Sequence, residues 1–198
     1  MTIQIRLAST TDASQILDIY APIVQHTPTS FEQIVPEVDD IAGRITKTLQ
    51  QYPWLVCEID GQIAGYAYGS AFRSRAAYQW TTEVTSYVHP DYHRRGIGRG
   101  LYASLFAILR EQGYCNAVSV ITVPNDASVG LHEAMGFEPI GMFRNMGYKL
   151  ARWHDTGWWQ LALRPMPDQP QPPIPLGDFT LQPNFPGLLI AGQSLIRS

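Results

Sequence analysis

Residues 93–100 (HRRGIGRG) combine three arginines with three glycines immediately before the amphipathic run LYASLFAILREQG. Glycines ahead of a helix let backbone N–H groups converge, and those groups together with the helix dipole bind anions. Arg94, Arg95 and Arg99 can add charge-assisted contacts to phosphate. The loop lacks the Gly-Lys-Ser/Thr ending of a P-loop and is not the G-x-G-x-x-G of a dinucleotide site. Read alone, it fits either a small phosphate-bearing ligand or a helix start with solvated arginines. Just upstream, the strand-like run EVTSYV puts Glu83, Thr85 and Tyr87 on one face and Val84, Ser86 and Val88 on the other. A carboxylate two residues from a tyrosine is a candidate proton acceptor, or else a salt-bridged strand residue. Before it, FRSRAAYQW carries Arg73, Arg75 and Tyr78. Guanidinium groups bind carboxylates and related oxyanions bidentately, the alternative being plain surface charge.

The elements that must position these residues follow from hydrophobic periodicity. IQIRL (3–7) alternates as a strand, and TTDASQILDIYAPIV offers a cap followed by apolar residues at helical spacing. A second helix is expected from about Val38 to Gln51. WLVCEIDGQIAGYAYGSAF reads as two strands joined by an Asp60-Gly61 turn, which requires positive φ. A fourth strand spans residues 80–90 and stops at Pro90. The glycine loop, a helix over 98–112, the strand NAVSVITV, a helix opening at PNDASVGLHEAMG and two last strands complete the pattern. The order βααβββαβαββ predicts a mixed α/β fold with a largely antiparallel start, not a doubly wound sheet.

The chain has 198 residues, 45% hydrophobic and 16% charged, which suits one domain with an appendage. A net charge of −3 and a pI near 5.9 leave no global basic field for nucleic acid, so the positive loop points to a small anion. Cys57 and Cys115 lie in apolar strand contexts and are expected to be buried reduced thiols, a structural disulfide between them being the alternative. The first residues lack an apolar signal core and no apolar run approaches ~20 residues, so a cytoplasmic protein that does not engage membranes is expected. His154 and Asp155 have no further ligands at suitable spacing, so no metal site is expected. Residues 1–164 are read as the folded domain and 165–198 as a proline-rich extension. That extension is expected to be an extended segment lying on the domain or on a partner subunit.

The strand–loop–helix–strand context of HRRGIG resembles the GNAT superfamily of acetyl-CoA-dependent N-acyltransferases, whose signature there is Q/R-x-x-G-x-G/A. His93 replaces the first Gln or Arg. The blocks YPWLV, AYQWTTE, VPNDASVGLHEAMGF and WHDTGWWQL are similar to segments of the phosphinothricin N-acetyltransferases, in order and across roughly residues 3–163. The resemblance implies a GNAT fold: a mostly antiparallel central sheet, splayed at strand 4 and flanked by helices. It implies acetyl-CoA as co-substrate, held by the backbone of Ser86 and Val88, by Arg94, Arg95, Gly96, Ile97, Gly98 and Arg99 at the pyrophosphate, and by Asn125 near the pantetheine. The loop amides, rather than the His93 side chain, are expected to do most of the phosphate binding.

Acetyl transfer from a thioester to an amine needs a neutral amine, a stabilised oxyanion and a proton for the thiolate. By the resemblance, Glu83 is the base, the Val88 N–H the oxyanion donor, and His132 the acid, unless His132 only packs its helix on the sheet. Arg73, Arg75 and Tyr78 would clamp an anionic acceptor, with Tyr87 beside it and Phe31 over its side chain. The expected activity is acetylation of the amino group of phosphinothricin or a similar amino acid by a homodimeric enzyme. Acetylation of methionine sulfone, methionine sulfoximine or another small amine is the alternative, and a non-catalytic acyl-CoA-binding module a further one.

Overall fold

In the computed structural model, which describes residues 2–197, a seven-stranded sheet has the order β1-β2-β3-β4-β5-β7-β6. Its strands are β1 (Ile3–Leu7), β2 (Trp54–Ile59), β3 (Gln62–Ala71), β4 (Thr81–Val88), β5 (Asn116–Val123), β6 (Glu138–Lys149) and β7 (Arg152–Ala162). All neighbours pair antiparallel except β4 and β5. The β2–β3 hairpin turns on Asp60 and Gly61, both at positive φ (48° and 85°), as the Asp-Gly pair requires.

Four helices flank the sheet: α1 (Ala13–His26), α2 (Val38–Thr48), α3 (Ile97–Gln112) and α4 (Asp126–Ala134). One face is closed by α1 and α2, whose Ile16, Ile19, Ile41 and Ile45 bury against Trp54, Val56 and Tyr66. On the opposite face α3 lays Leu101, Leu105 and Leu109 over Leu55, Ala67 and Val84. Burying such side chains is worth roughly 1.5–3 kcal/mol each, which is why these helices form here despite Pro22 inside α1. The expected α2 runs three residues too far, since the helix closes at Thr48.

The proline-rich end differs from the extended segment expected. It forms two short helices, α5 (Leu176–Phe179) and α6 (Phe185–Leu189), and a single 3₁₀ turn (Gln193–Leu195). Leu176, Phe179, Phe185 and Ile196 are buried in the same core cluster as α3. Apolar anchors recurring between the prolines supply the burial that offsets ordering such a segment. Cys57 and Cys115 are both free and buried.

Candidate active site

Pairing between β4 and β5 covers only Thr81–Glu83 against Asn116–Val118, and beyond it the strands part. The gap opens into a cleft of about 170 Å³ lined by Glu83, Ser86, Tyr87, Tyr102, Asn125 and His132, among others. Backbone direction along β4 is fixed by its other neighbour. The His89 N–H donates to the Ala64 carbonyl at 2.9 Å, so alternation leaves Val88 and Ser86 in non-hydrogen-bonded pairs with Gly65 and Ala67. Their N–H and C=O groups therefore turn away from β3 into the gap. This is the backbone placement expected of Ser86 and Val88.

Glu83 stands half-buried at the point where pairing ends. Burial raises its carboxyl above the ordinary 4.5, and the nearby Arg73 charge partly counters the rise. Among the described residues none donates a hydrogen bond to its carboxylate. Directly opposite is Ser70 of β3, followed on the same face by the Thr85/Tyr68 and Tyr87/Tyr66 pairs. Tyr87 packs on Tyr20 and Tyr66, each with ring centroids 5.4 Å apart. A second hollow of about 240 Å³ lies on this face, lined by Tyr20, Arg44, Trp54, Tyr66, Tyr68 and Ser70.

His132 is 4% exposed and bonded at both ring nitrogens. Nδ1 lies 2.7 Å from the Ser128 carbonyl, which can only accept, so Nδ1 carries the proton. Nε2, 3.0 Å from the Tyr102 hydroxyl, must then accept from it. Burial lowers the His132 pKa below the ordinary 6.5, which keeps this neutral tautomer in place. The ring therefore has no free proton facing the cleft, and the proton between the two side chains is that of the Tyr102 hydroxyl, directed at Nε2. Burial also pushes the Tyr102 phenol up, the Ser86 side chain acting against the rise. In sequence Tyr102 reads as one more core aromatic on α3, and nothing local distinguishes it. Its bond to His132 emerges only from the crossing of α3 and α4.

Asn125 caps α4, its side-chain oxygen accepting from the Ser128 N–H at 3.1 Å. Arg73 lies over the rings of Phe72 (5.2 Å) and Trp158 (6.0 Å), and Tyr78 meets Phe72 edge-on. Arg75 is exposed at the start of the 3₁₀ turn holding Tyr78. Phe31 is not brought to the cleft lining. Its ring lies against Gly147 and faces His154, at the β6–β7 hairpin.

The glycine loop sits at the mouth of the gap. Arg94 and Gly96 take positive φ (62° and 81°), separated by an ordinary residue, an alternation that turns successive N–H groups to one side. The first α-helical bond into α3 runs from the Gly100 N–H to the Gly96 carbonyl, so the amides ahead of it start the helix without an intrahelical acceptor. Arg95 stacks on Tyr92 at 5.3 Å, while Arg94 and Arg99 are exposed. His93 does more than the signature suggests: its Nε2 donates to the Val88 carbonyl at 3.0 Å and ties the loop to the end of β4. These free amides, the arginines and the unpaired strand edge fit a pyrophosphate joined to an amide-bearing chain. Among the described residues no three His, Cys, Asp or Glu side chains gather to hold a metal, and no helix is long and apolar enough to cross a membrane.

A sheet that parts beside a half-buried carboxylate, with an amide-lined loop at the mouth, is the layout of an acyl-transferring domain. Comparison with known proteins makes the class specific: the model of the acetyltransferase (GNAT) domain matches residues 5–158. The chain belongs to the GNAT acetyltransferase family. It is 36% identical to the phosphinothricin N-acetyltransferase of Streptomyces viridochromogenes, over 87% of this chain and 94% of that one. It is 34% identical to the L-methionine sulfoximine/L-methionine sulfone acetyltransferase of Salmonella typhimurium, over 80% and 94% of the two chains. Its fold is similar to the crystal structure of a GNAT superfamily phosphinothricin acetyltransferase from Sinorhizobium meliloti in complex with acetyl-CoA. That likeness has a TM-score of 0.78 at 33% identity and covers 82% of this chain and 89% of that one.

Proposed function

We propose that the protein transfers the acetyl group of acetyl-CoA to the amino group of phosphinothricin or a similar amino acid. The observation that carries this reading is Glu83: an unpaired, half-buried carboxylate with a raised pKa, placed where the sheet opens and lining the same cleft as Tyr102. Acetyl-CoA supplies the activated acyl group. Glu83 takes the proton of the bound ammonium, directly or through water. The Val88 N–H, turned into the gap, donates to the developing oxyanion. Tyr102 gives its proton to the departing sulfur once its hydroxyl turns from His132 Nε2, and the phenolate recovers a proton from solvent before the next turnover.

Arg73, Arg75 and Tyr78 form the clamp for the acceptor's anionic groups, while the hollow under Tyr68 gives room beside Glu83. The similarity to a methionine sulfoximine/sulfone acetyltransferase favours a second reading with that acceptor, under the same chemistry. An exposed apolar row on β6 and β7 (Met142, Phe143, Tyr148 and Trp153) supports a homodimer joined through this hairpin. The protein acts in the cytoplasm in this reading. Thiol release from acetyl-CoA with a panel of amines tests it. L-phosphinothricin or methionine sulfone should turn over far faster than lysine or a peptide N-terminus. A best rate with a peptide amine, with Arg73→Ala and Arg75→Ala neutral, would overturn the clamp.

A further inference from the structure

The C-terminal segment runs back along the whole of α3. Gln112, in the last turn of the helix, exchanges bonds with Ile174: its side chain donates to the Ile174 carbonyl at 2.8 Å, and its own carbonyl accepts the Ile174 N–H at 2.8 Å. Midway along the helix, the Gly192 N–H donates to the Ser104 hydroxyl at 3.0 Å. The Gln193 side chain caps the Ile5 N–H on the outer edge of β1 at 3.1 Å. The segment ends on the anion loop itself, where the Arg197 N–H donates to the Arg95 carbonyl at 2.8 Å.

Two of the three loop glycines face this strap rather than open space. A Cβ on Gly96 would collide with the Leu195 carbonyl oxygen, and one on Gly100 would meet the Ile196 side chain at 2.7 Å and the Gly192 carbonyl at 2.8 Å. Only Gly98 faces the other way, toward Leu131 and Val88 at the cleft. In a trans peptide the C=O and the following N–H point in opposite directions. With the Arg95 carbonyl held on the strap side, the Gly96 N–H is directed away from it, toward the side where Gly98 meets β4.

We infer that the C-terminal strap is a positioning element of the acetyl-CoA site, its Arg197 main-chain N–H setting the Arg95–Gly96 peptide so that the loop amides meet the pyrophosphate already aligned. The inference rests on the reading of the loop given under Proposed function. Binding to a loop ordered beforehand loses less entropy, so releasing the anchor weakens the ligand. It weakens only the part of the ligand that the loop touches.

Arg197→Pro removes the N–H together with the side chain. Ile196 already has φ −90° and ψ 129°, a conformation that a following proline accepts. Arg197→Ala removes the side chain and keeps the N–H. Calorimetry with CoA should show a Kd about 3- to 10-fold higher for Arg197→Pro, the range of one lost hydrogen bond, and a change under about twofold for Arg197→Ala. With acetyl-pantetheine, which lacks the pyrophosphate, kcat/KM should match wild type in both variants. Wild-type CoA affinity in Arg197→Pro would overturn the inference. So would equal losses in both variants, or equal losses with CoA and acetyl-pantetheine. A wild-type protein that binds no CoA would instead sink the reading of the loop.

Discussion

On the β1–β4 half of the sheet both faces are covered, by α1 and α2 on one side and by α3 and the strap on the other. Ile16, Ile45, Leu55 and Leu105 are fully enclosed there. On the β6–β7 side, Ile140, Met142, Phe143, Met146, Tyr148 and Trp153 are each about half exposed or more (47–60%). The reactive groups stand between these halves, at the seam where β4 leaves β5. One half is finished by its own chain, and the other leaves apolar surface exposed, the surface that the proposed homodimer would cover. The difference separates what the chain closes by itself from what it leaves open.

Breaking the seam should have the largest effect. Glu83→Gln should leave folding and CoA binding intact and lower kcat by ~100- to 10,000-fold. Because burial raises the Glu83 pKa, the basic form is lost as pH falls, and the wild-type rate should decline through a midpoint above 4.5. The variant should lack this acid limb, and its deficit should shrink at high pH, where the amine deprotonates unaided. A pH–rate profile superimposable on wild type removes Glu83 from the chemistry.

Within the closed half, Ile45→Ala should cost about 2–5 kcal/mol in a denaturant titration, since its whole side chain is buried. Back at the seam, Tyr102→Phe keeps the ring and removes the proton. It should lower kcat by about 100-fold while the KM for acetyl-CoA stays near wild type. His132 is neutral at and above its ordinary 6.5, so its protonation should affect the rate only below that value. A Tyr102→Phe variant with wild-type kcat would return the acid role to another group. The smallest stability change belongs to the open half: Trp153→Asp should alter it by roughly 0.5 kcal/mol or less. Light scattering should nonetheless find it monomeric where the wild type is dimeric, and a wild-type monomer would refute the proposed interface.

The closed half was almost fully legible in the sequence. Strand alternation, the Asp60-Gly61 turn and helical spacing are local signals, and they specify β1 to β5 and α1 to α4 with only end errors. Glu83, Ser86 and Val88 were legible for the same reason, since alternation along one strand assigns their directions. Tyr102 was not, because an aromatic on the core face of a helix looks alike whether it packs or donates a proton. His132 was found, but its tautomer depends on Ser128 and Tyr102, one of them on another helix. The place of Phe31 was not legible because the long α1–α2 loop has no periodicity to aim it; Lys149 donates to the Ser30 carbonyl at 2.6 Å and holds that loop on β6. The glycines were read for phosphate alone, whereas Gly96 and Gly100 also admit a segment distant in sequence.

The bond from Ile5 to Gln193 brings the two ends of the described chain together. A ribosome makes the edge of β1 well before the residues that cap it. Until those residues are made, that edge and the groove along α3 are bare, and the Arg95 carbonyl waits for a donor made long after it. The anion loop is thus completed by a segment that arrives after the rest of the sheet, so its order depends on the late part of the chain folding back.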